Sequence, residues 1–209
     1  MPSSLKRAFR NLLRSARKRF LDLERLAGRL WLLEARLIGV QCGKGITFHG
    51  RPVLGRPEGS QIILGDGVTL TSSPRSNPLT NAFPTTLRTL APGAVIELKA
   101  GVGVSSSTIC AARSITIGEG TIIGAGALIL DSDCHRFVEE EGWITDFEGP
   151  AKPITIGREV FVGTRAIILK GVTIGDRAII GAGAVITQDV PAGMIAVGNP
   201  PRLFPRKDL

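Results

Sequence analysis

A β-helix with a corner every six residues, entered through an amphipathic α-helix, is the fold class this sequence predicts. Three observations predict it. The first is an aliphatic residue at every sixth position: Ile156, Val162, Ile168, Ile174, Ile180 and Ile186. The second is a small or slim residue four places after each of them: Val160, Ala166, Val172, Ala178, Ala184 and Val190. The third is composition, with 26 Gly against 8 Phe, 2 Trp and no Tyr. A helix repeats its apolar face every 3.6 residues and a strand every 2, so neither produces a step of six. A chain that turns a corner every six residues does. Three such segments close a triangular coil of about 18 residues, and stacked coils bury columns that no single coil could bury alone. Glycine permits the positive φ of tight corners, and large rings do not fit so narrow a core.

Taken in chain order, the first element is helical. Leu5, Phe9, Leu12 and Ala16, then Leu23, Leu26, Leu30, Leu33 and Leu37, follow each other at spacings of three and four, interrupted at Arg19. No proline lies between Pro2 and Pro52, and Ser3 or Ser4 can cap the start. One amphipathic helix over 4–38, or two in line, is predicted. Residues 1–40 form a basic helical extension, 41–198 the repeat and 199–209 a basic tail. The repeat begins with a segment at Ile46–Leu54 and another at Leu64–Leu70. It continues through Leu98, Val104 and Cys110, slips by one residue, and resumes at Ile117, Ile123 and Ile129. Two stretches break the rhythm, at about 71–93 and 133–152, and are read as loops.

The net charge is +8, and Lys6, Arg7, Arg10, Arg14, Arg17, Lys18 and Arg19 supply most of it with no acid in residues 1–20. Two uses of this helix compete. Its apolar stripe packs on the β-helix or on a sister copy, the use favoured for residues 23–38. Alternatively it lies on an anionic bilayer surface, a use kept open for residues 4–20. Nucleic acid is not expected, because the basic residues do not interleave with aromatics and no reader motif is present. No stretch approaches the roughly 20 apolar residues of a membrane span. Cys42, Cys110 and Cys134 form no paired framework, so a reducing compartment is expected. The sequence thus reads as cytoplasmic, with peripheral contact at the inner membrane face left open.

Only two histidines are present. His49 lies among early repeat residues and is read as structural. His135 closes the run Asp131-Ser132-Asp133-Cys134-His135, where the chain leaves a coil for the second loop. An imidazole of near-neutral pKa suits removal of a proton from a hydroxyl or amine, and a carboxylate beside it fixes its tautomer. Asp131 and Asp133 are both within chain reach. Three histidines for a zinc site cannot be assembled, which excludes the carbonic anhydrase chemistry that also uses this kind of scaffold. No metal is expected.

The runs Ile154-Thr155-Ile156-Gly157, Val160-Phe161-Val162-Gly163-Thr164, Gly171-Val172-Thr173-Ile174-Gly175-Asp176 and Ile180-Gly181-Ala182-Gly183-Ala184 carry a resemblance, as does the ending Val197-Gly198-Asn199-Pro200-Pro201-Arg202. They resemble the hexapeptide-repeat O-acetyltransferases, in the galactoside, maltose, nodulation-factor and polysaccharide branch. The resemblance spans about residues 95–206. It implies a left-handed parallel β-helix, a homotrimer, and acetyl-CoA bound between neighbouring prisms. It also implies His135 as general base, and Thr164, Ala182, Thr187 and Arg202 as coenzyme contacts. Gly163 and Gly181 would let the pantetheine arm approach the backbone, and Arg202, with Arg206 or Lys207, would meet the nucleotide phosphates. Phe161 and Pro201 depart from the usual Trp and small residue at those places. The function this implies is acetyl-CoA-dependent transfer of an acetyl group to a sugar hydroxyl of a cell-surface polysaccharide or its precursor; an acyltransferase on a small, serine-type acceptor and a non-enzymatic trimeric scaffold are the alternatives.

Overall fold

The computed structural model describes residues 26–79 and 83–206. Six stacked coils form a three-sided prism. The first holds β1 (Gln41–Cys42), β2 (Thr47–His49) and β3 (Val53–Gly55), and the second β4 (Gln61–Leu64), β5 (Thr69–Thr71) and β6 (Thr86–Thr89). The third holds β7 (Val95–Leu98), β8 (Gly103–Ser105) and β9 (Thr108–Ala111), and the fourth β10 (Ser114–Ile117), β11 (Ile122–Ile123) and β12 (Leu128–Leu130). A hairpin of β13 (His135–Val138) and β14 (Gly142–Thr145) then leaves the prism. The fifth coil is β15 (Ile154–Ile156), β16 (Phe161–Val162) and β17 (Ile167–Leu169), and the sixth β18 (Thr173–Ile174), β19 (Ile179–Ile180) and β20 (Val185–Ile186). β21 (Met194–Val197) pairs parallel with β19, and β22 (Arg202–Pro205) returns antiparallel along it.

The three faces are parallel sheets. Face A orders β1-β4-β7-β10-β15-β18, face B runs from β2 through β5, β8, β11, β16 and β19 to β21 and β22, and face C orders β3-β6-β9-β12-β17-β20. Their inward columns are the predicted ones: Ile156 and Ile174 on face A, Val162 and Ile180 on face B, Ile168 and Ile186 on face C, all buried. The small residues Val160, Ala166, Val172, Ala178 and Ala184 fill the corners and are buried as well.

Upstream, the rhythm fails where hydroxyls replace aliphatics. Thr85 and Thr89 are buried at the ends of the β6 segment, which lies inside the stretch expected to be loop; within that stretch the chain leaves the prism between β5 and β6 and rejoins it at β6. The Thr85 hydroxyl donates to the Thr71 carbonyl at 2.8 Å and accepts from the Ser106 amide at 2.9 Å. Thr121 likewise donates to the Gly157 carbonyl and accepts from the Val160 amide. Each buried hydroxyl is satisfied, so it costs little in the core, yet it hides a coil from a search for aliphatic residues. The register slip also sits elsewhere than expected. Ile109, not Cys110, points inward, because the step from Val104 to the next inward residue is shortened. The corner after Ala111 is correspondingly longer: Ile96 pairs with Ile115, one residue more than the 18 separating Ile156 from Ile174. Burial pushes the Cys110 thiol up to about 11.

Residues 26–37 are helical, and the remainder of the predicted helix, 4–25, lies outside the described residues. The helix ends in a Schellman arrangement: the Val40 amide bonds the Ala35 carbonyl, the Gly39 amide bonds the Arg36 carbonyl, and Gly39 takes φ 86°. Its packing overturns an expectation as far as this chain's own prism is concerned. The face set on the first coil is formed by Gly28, Ala35, Trp31 and Leu32, whereas Leu26, Leu30, Leu33 and Leu37 face outward, Leu37 79% exposed. Close approach explains the choice. A Cβ on Gly28 would stand 2.8 Å from the Phe48 carbonyl oxygen, so the small-residue side is the one that fits. Among the described residues no helix is long and apolar enough to cross a membrane.

Candidate active site

The predicted site residues fall on two edges of the prism. Gly163 and Thr164 follow β16, and Gly181 and Ala182 follow β19, so all four lie on the edge between faces B and C. Thr187, exposed, follows β20 on the edge between faces C and A, the edge from which Asp131, Asp133 and His135 also depart after β12. Arg202 is exposed at the start of β22, opposite Val197, and so reaches the B–C edge. The structure separates it from Arg206. That residue bonds the Arg177 carbonyl at 3.3 Å on the far side of face B, because β22 crosses the face from one edge to the other. Lys207 lies outside the described residues.

The glycines have a structural cause. A Cβ on Gly163 would lie 2.5 Å from the Ala182 amide nitrogen, and one on Gly181 would lie 2.7 Å from Val197 Cγ1. Their missing side chains admit the next layer of the chain itself. What faces outward is the residue after each. Thr164 is half-buried, Ala182 is exposed, and their amides have no acceptor among the described residues.

The A–B edge treats the matching position of the same coil differently: the Arg158 amide donates to Asp176 Oδ1 of the coil above at 2.9 Å. Thr164 has Ala182 above it, which offers no such acceptor. The A–B edge does hold a cleft of about 280 Å³, lined by Glu119, Gly120, Arg158, Glu159, Asp176 and Arg177. Its charges pair with one another, Arg158 with Asp176 and Arg177 with Glu159, which leaves little unmatched charge for a ligand.

The second loop is held by its base. Ser132 Oγ donates to the Phe147 carbonyl at 2.6 Å and accepts from the Cys134 amide at 3.0 Å, and the Asp146 amide reaches the Cys134 carbonyl at 2.9 Å. Cys134 adopts φ 62°, which turns the chain so that His135 opens a new strand. His135 is exposed there and pairs in the hairpin with Thr145. The Gly149 amide and then Arg136 hold the Asp146 carboxyl below its ordinary range.

Neither expected carboxylate supports His135 in this chain. Asp131 is fully buried and accepts from two backbone amides, Ala112 at 2.6 Å and Arg113 at 2.8 Å. It stitches the lengthened corner of the third coil. Burial raises its pKa, with the amides opposing. Asp133 is ion-paired with Lys170 on the same edge. Neither contact was legible from the Asp-x-Asp-x-His spacing, because both partners are distant in sequence. His49, the other histidine, is half-buried at the end of β2.

Fold and corner pattern together define a hexapeptide-repeat protein built as a left-handed parallel β-helix. Residues 153–188 match the family model of the hexapeptide repeat of succinyl-transferase. The chain is similar to nodulation protein L of Rhizobium meliloti (strain 1021), 47% identical over 89 residues, covering 43% of this chain and 47% of that one. It is also similar to galactoside O-acetyltransferase of Escherichia coli (strain K12), 35% identical over 99 residues, 46% of each chain. The chain thus spans about half the length of the curated relatives it matches. Among solved structures, an N-acyltransferase from Bacillus cereus, AntD, crystallised with dTDP and 3-hydroxybutyryl-CoA, superposes with a TM-score of 0.56 at 15% identity, covering 85% of this chain and 88% of that one. That likeness is one of fold.

Proposed function

We propose that the protein is an acetyl-CoA-dependent O-acetyltransferase acting on a sugar hydroxyl of a cell-surface polysaccharide or its precursor. The observation that carries this reading is the open edge at Thr164 and Ala182, with His135 presented on the neighbouring edge across face C. Two uncapped, outward amides suit the amide and carbonyl groups of a pantetheine arm, and Arg202 near the same edge suits its phosphates. The identity shared with the sugar acetyltransferase relatives supports the same conclusion.

His135 takes the proton of the acceptor hydroxyl as its oxygen attacks the thioester carbonyl. A C–O bond forms, the C–S bond breaks, and the imidazolium returns the proton to the departing thiolate. Holding both substrates on one surface supplies much of the rate. Because the two edges of one prism are separated by face C, the site is completed between copies. His135 of one subunit faces the open edge of its neighbour in a homotrimer. His135→Ala should cut turnover by roughly 10²–10⁴ with acetyl-CoA affinity nearly unchanged, while His49→Ala retains it. Full activity of His135→Ala with an accepted sugar ends the assignment.

The outward leucines of the helix and the seven cations of residues 1–20 suit the surface of an anionic membrane. Vesicles with anionic lipid should sediment the full chain, and salt should release it. Absence of binding at low salt removes this contact.

A further inference from the structure

The loop that carries His135 also carries two exposed aromatic rings that the transfer chemistry does not use. In the β13–β14 hairpin, His135 stands opposite Thr145 and Phe137 opposite Trp143. Side chains alternate between the two sides of a hairpin, so these four share one side. All four are exposed, Phe137 by 56% and Trp143 by 75%. The other side holds Val138 and Ile144, which are partly covered. Phe137 and Trp143 touch edge to face, with centroids 5.7 Å apart and planes at 71°. One apolar platform therefore lies on the same side as the candidate base, displaced from it by two residues, about 7 Å along the strand.

We propose that Trp143 and Phe137 form the binding platform for the acceptor saccharide, a site that rests on the acetyl-transfer reading for its chemistry but not for its ligand class. A pyranose presents C–H groups on its flat face and hydroxyls around its rim. The C–H groups suit the electron-rich face of an indole, and the rim then lies where His135 can reach a hydroxyl. A nucleotide base would stack on the same indole, but its phosphates would meet the carboxylates of the hairpin tip. The tip between the strands is Glu139, Glu140 and Glu141, all exposed, which opposes phosphate. The same three carboxylates disfavour an acidic sugar, so the acceptor ring is neutral or carries an amine.

The platform can be tested by kinetics and by direct binding on the full chain. Trp143→Ala and Phe137→Ala should each raise the KM for the acceptor by roughly 3- to 10-fold, leave the Kd of acetyl-CoA unchanged, and leave the oligomer mass unchanged. Trp143→Phe should recover part of the loss. Uronic acids should be poorer acceptors than the matching neutral hexosides and 2-amino-2-deoxyhexosides. Separately, the wild-type chain has two indole N–H resonances, and the one missing in Trp143→Phe should shift on titration with neutral hexosides. That shift without any acetyl transfer would sink the enzymatic reading and leave the platform standing. An unchanged acceptor KM, or a change in coenzyme affinity or oligomer mass instead, would overturn the platform and assign the rings to coenzyme or to a neighbouring copy. A static indole resonance in a wild-type enzyme that acetylates those sugars would overturn it too.

Discussion

Two edges of the same prism solve one backbone problem in opposite ways. At each corner an amide is turned outward, away from the strand hydrogen bonding of the faces. On the A–B edge, Asp176 of the sixth coil reaches down to the Arg158 amide of the fifth, with its carboxyl held below the usual range by that amide and the Arg158 guanidinium. On the B–C edge the equivalent residue is Ala182, and the Thr164 amide below it has no acceptor among the described residues. The repeat supplies the same corner to both. In the fifth coil the A–B corner is closed by a side chain of the coil above, and the B–C corner is left for water or for a ligand.

The strongest test of this contrast removes a cap that is buried. Asp131→Ala orphans the amides of Ala112 and Arg113, and each buried amide left without a partner costs about 1–3 kcal/mol. A stability loss of roughly 2–5 kcal/mol should appear in denaturant or thermal unfolding. Retention of wild-type stability would mean that the corner does not depend on its carboxylate. A smaller effect separates the edges by ligand. Ala182→Leu fills the open edge and should weaken acetyl-CoA by roughly 10- to 100-fold, about 1.4–2.8 kcal/mol, with little change in melting temperature. Arg158→Leu, on the closed edge, should leave coenzyme affinity alone. Equal losses from both variants would erase the distinction between the edges.

The repeat was legible in the sequence where its six-residue step is unbroken, and was lost at Leu87 and Ile109, where the step is interrupted. From Ile156 to Val190 the predicted columns and the buried columns agree. It was illegible at Thr85, Thr89 and Thr121, because a hydroxyl that finds two backbone partners can occupy a core position without announcing it. His135 stands at the coil exit that the sequence marked. Asp131 and Asp133 stand there too, but their carboxylates are engaged elsewhere, that of Asp131 by a corner 18 residues earlier and that of Asp133 by a lysine 37 residues later. Spacing along the chain shows which groups are neighbours in a strand, but vertical neighbours in a stack depend on how long each intervening coil and loop is. The aromatic pair was missed for a similar reason. Phe137 and Trp143 join only through the register of a hairpin with no regular alternation of apolar residues to declare it.

A stack of parallel coils has no intrinsic length, for each coil is a template for another like it, and an uncovered end could recruit a second molecule into a fibre. This chain places something that is not a coil at the start of the prism and at the end of face B. At the start, helix residues 28, 31, 32 and 35 lie on the first coil. At the finish, β22 runs the wrong way to be copied as a further parallel strand, and it brings Pro205, which has no N–H to donate, to the sheet's edge. On face B, reversal of one strand, rather than exhaustion of the repeat, ends the sheet.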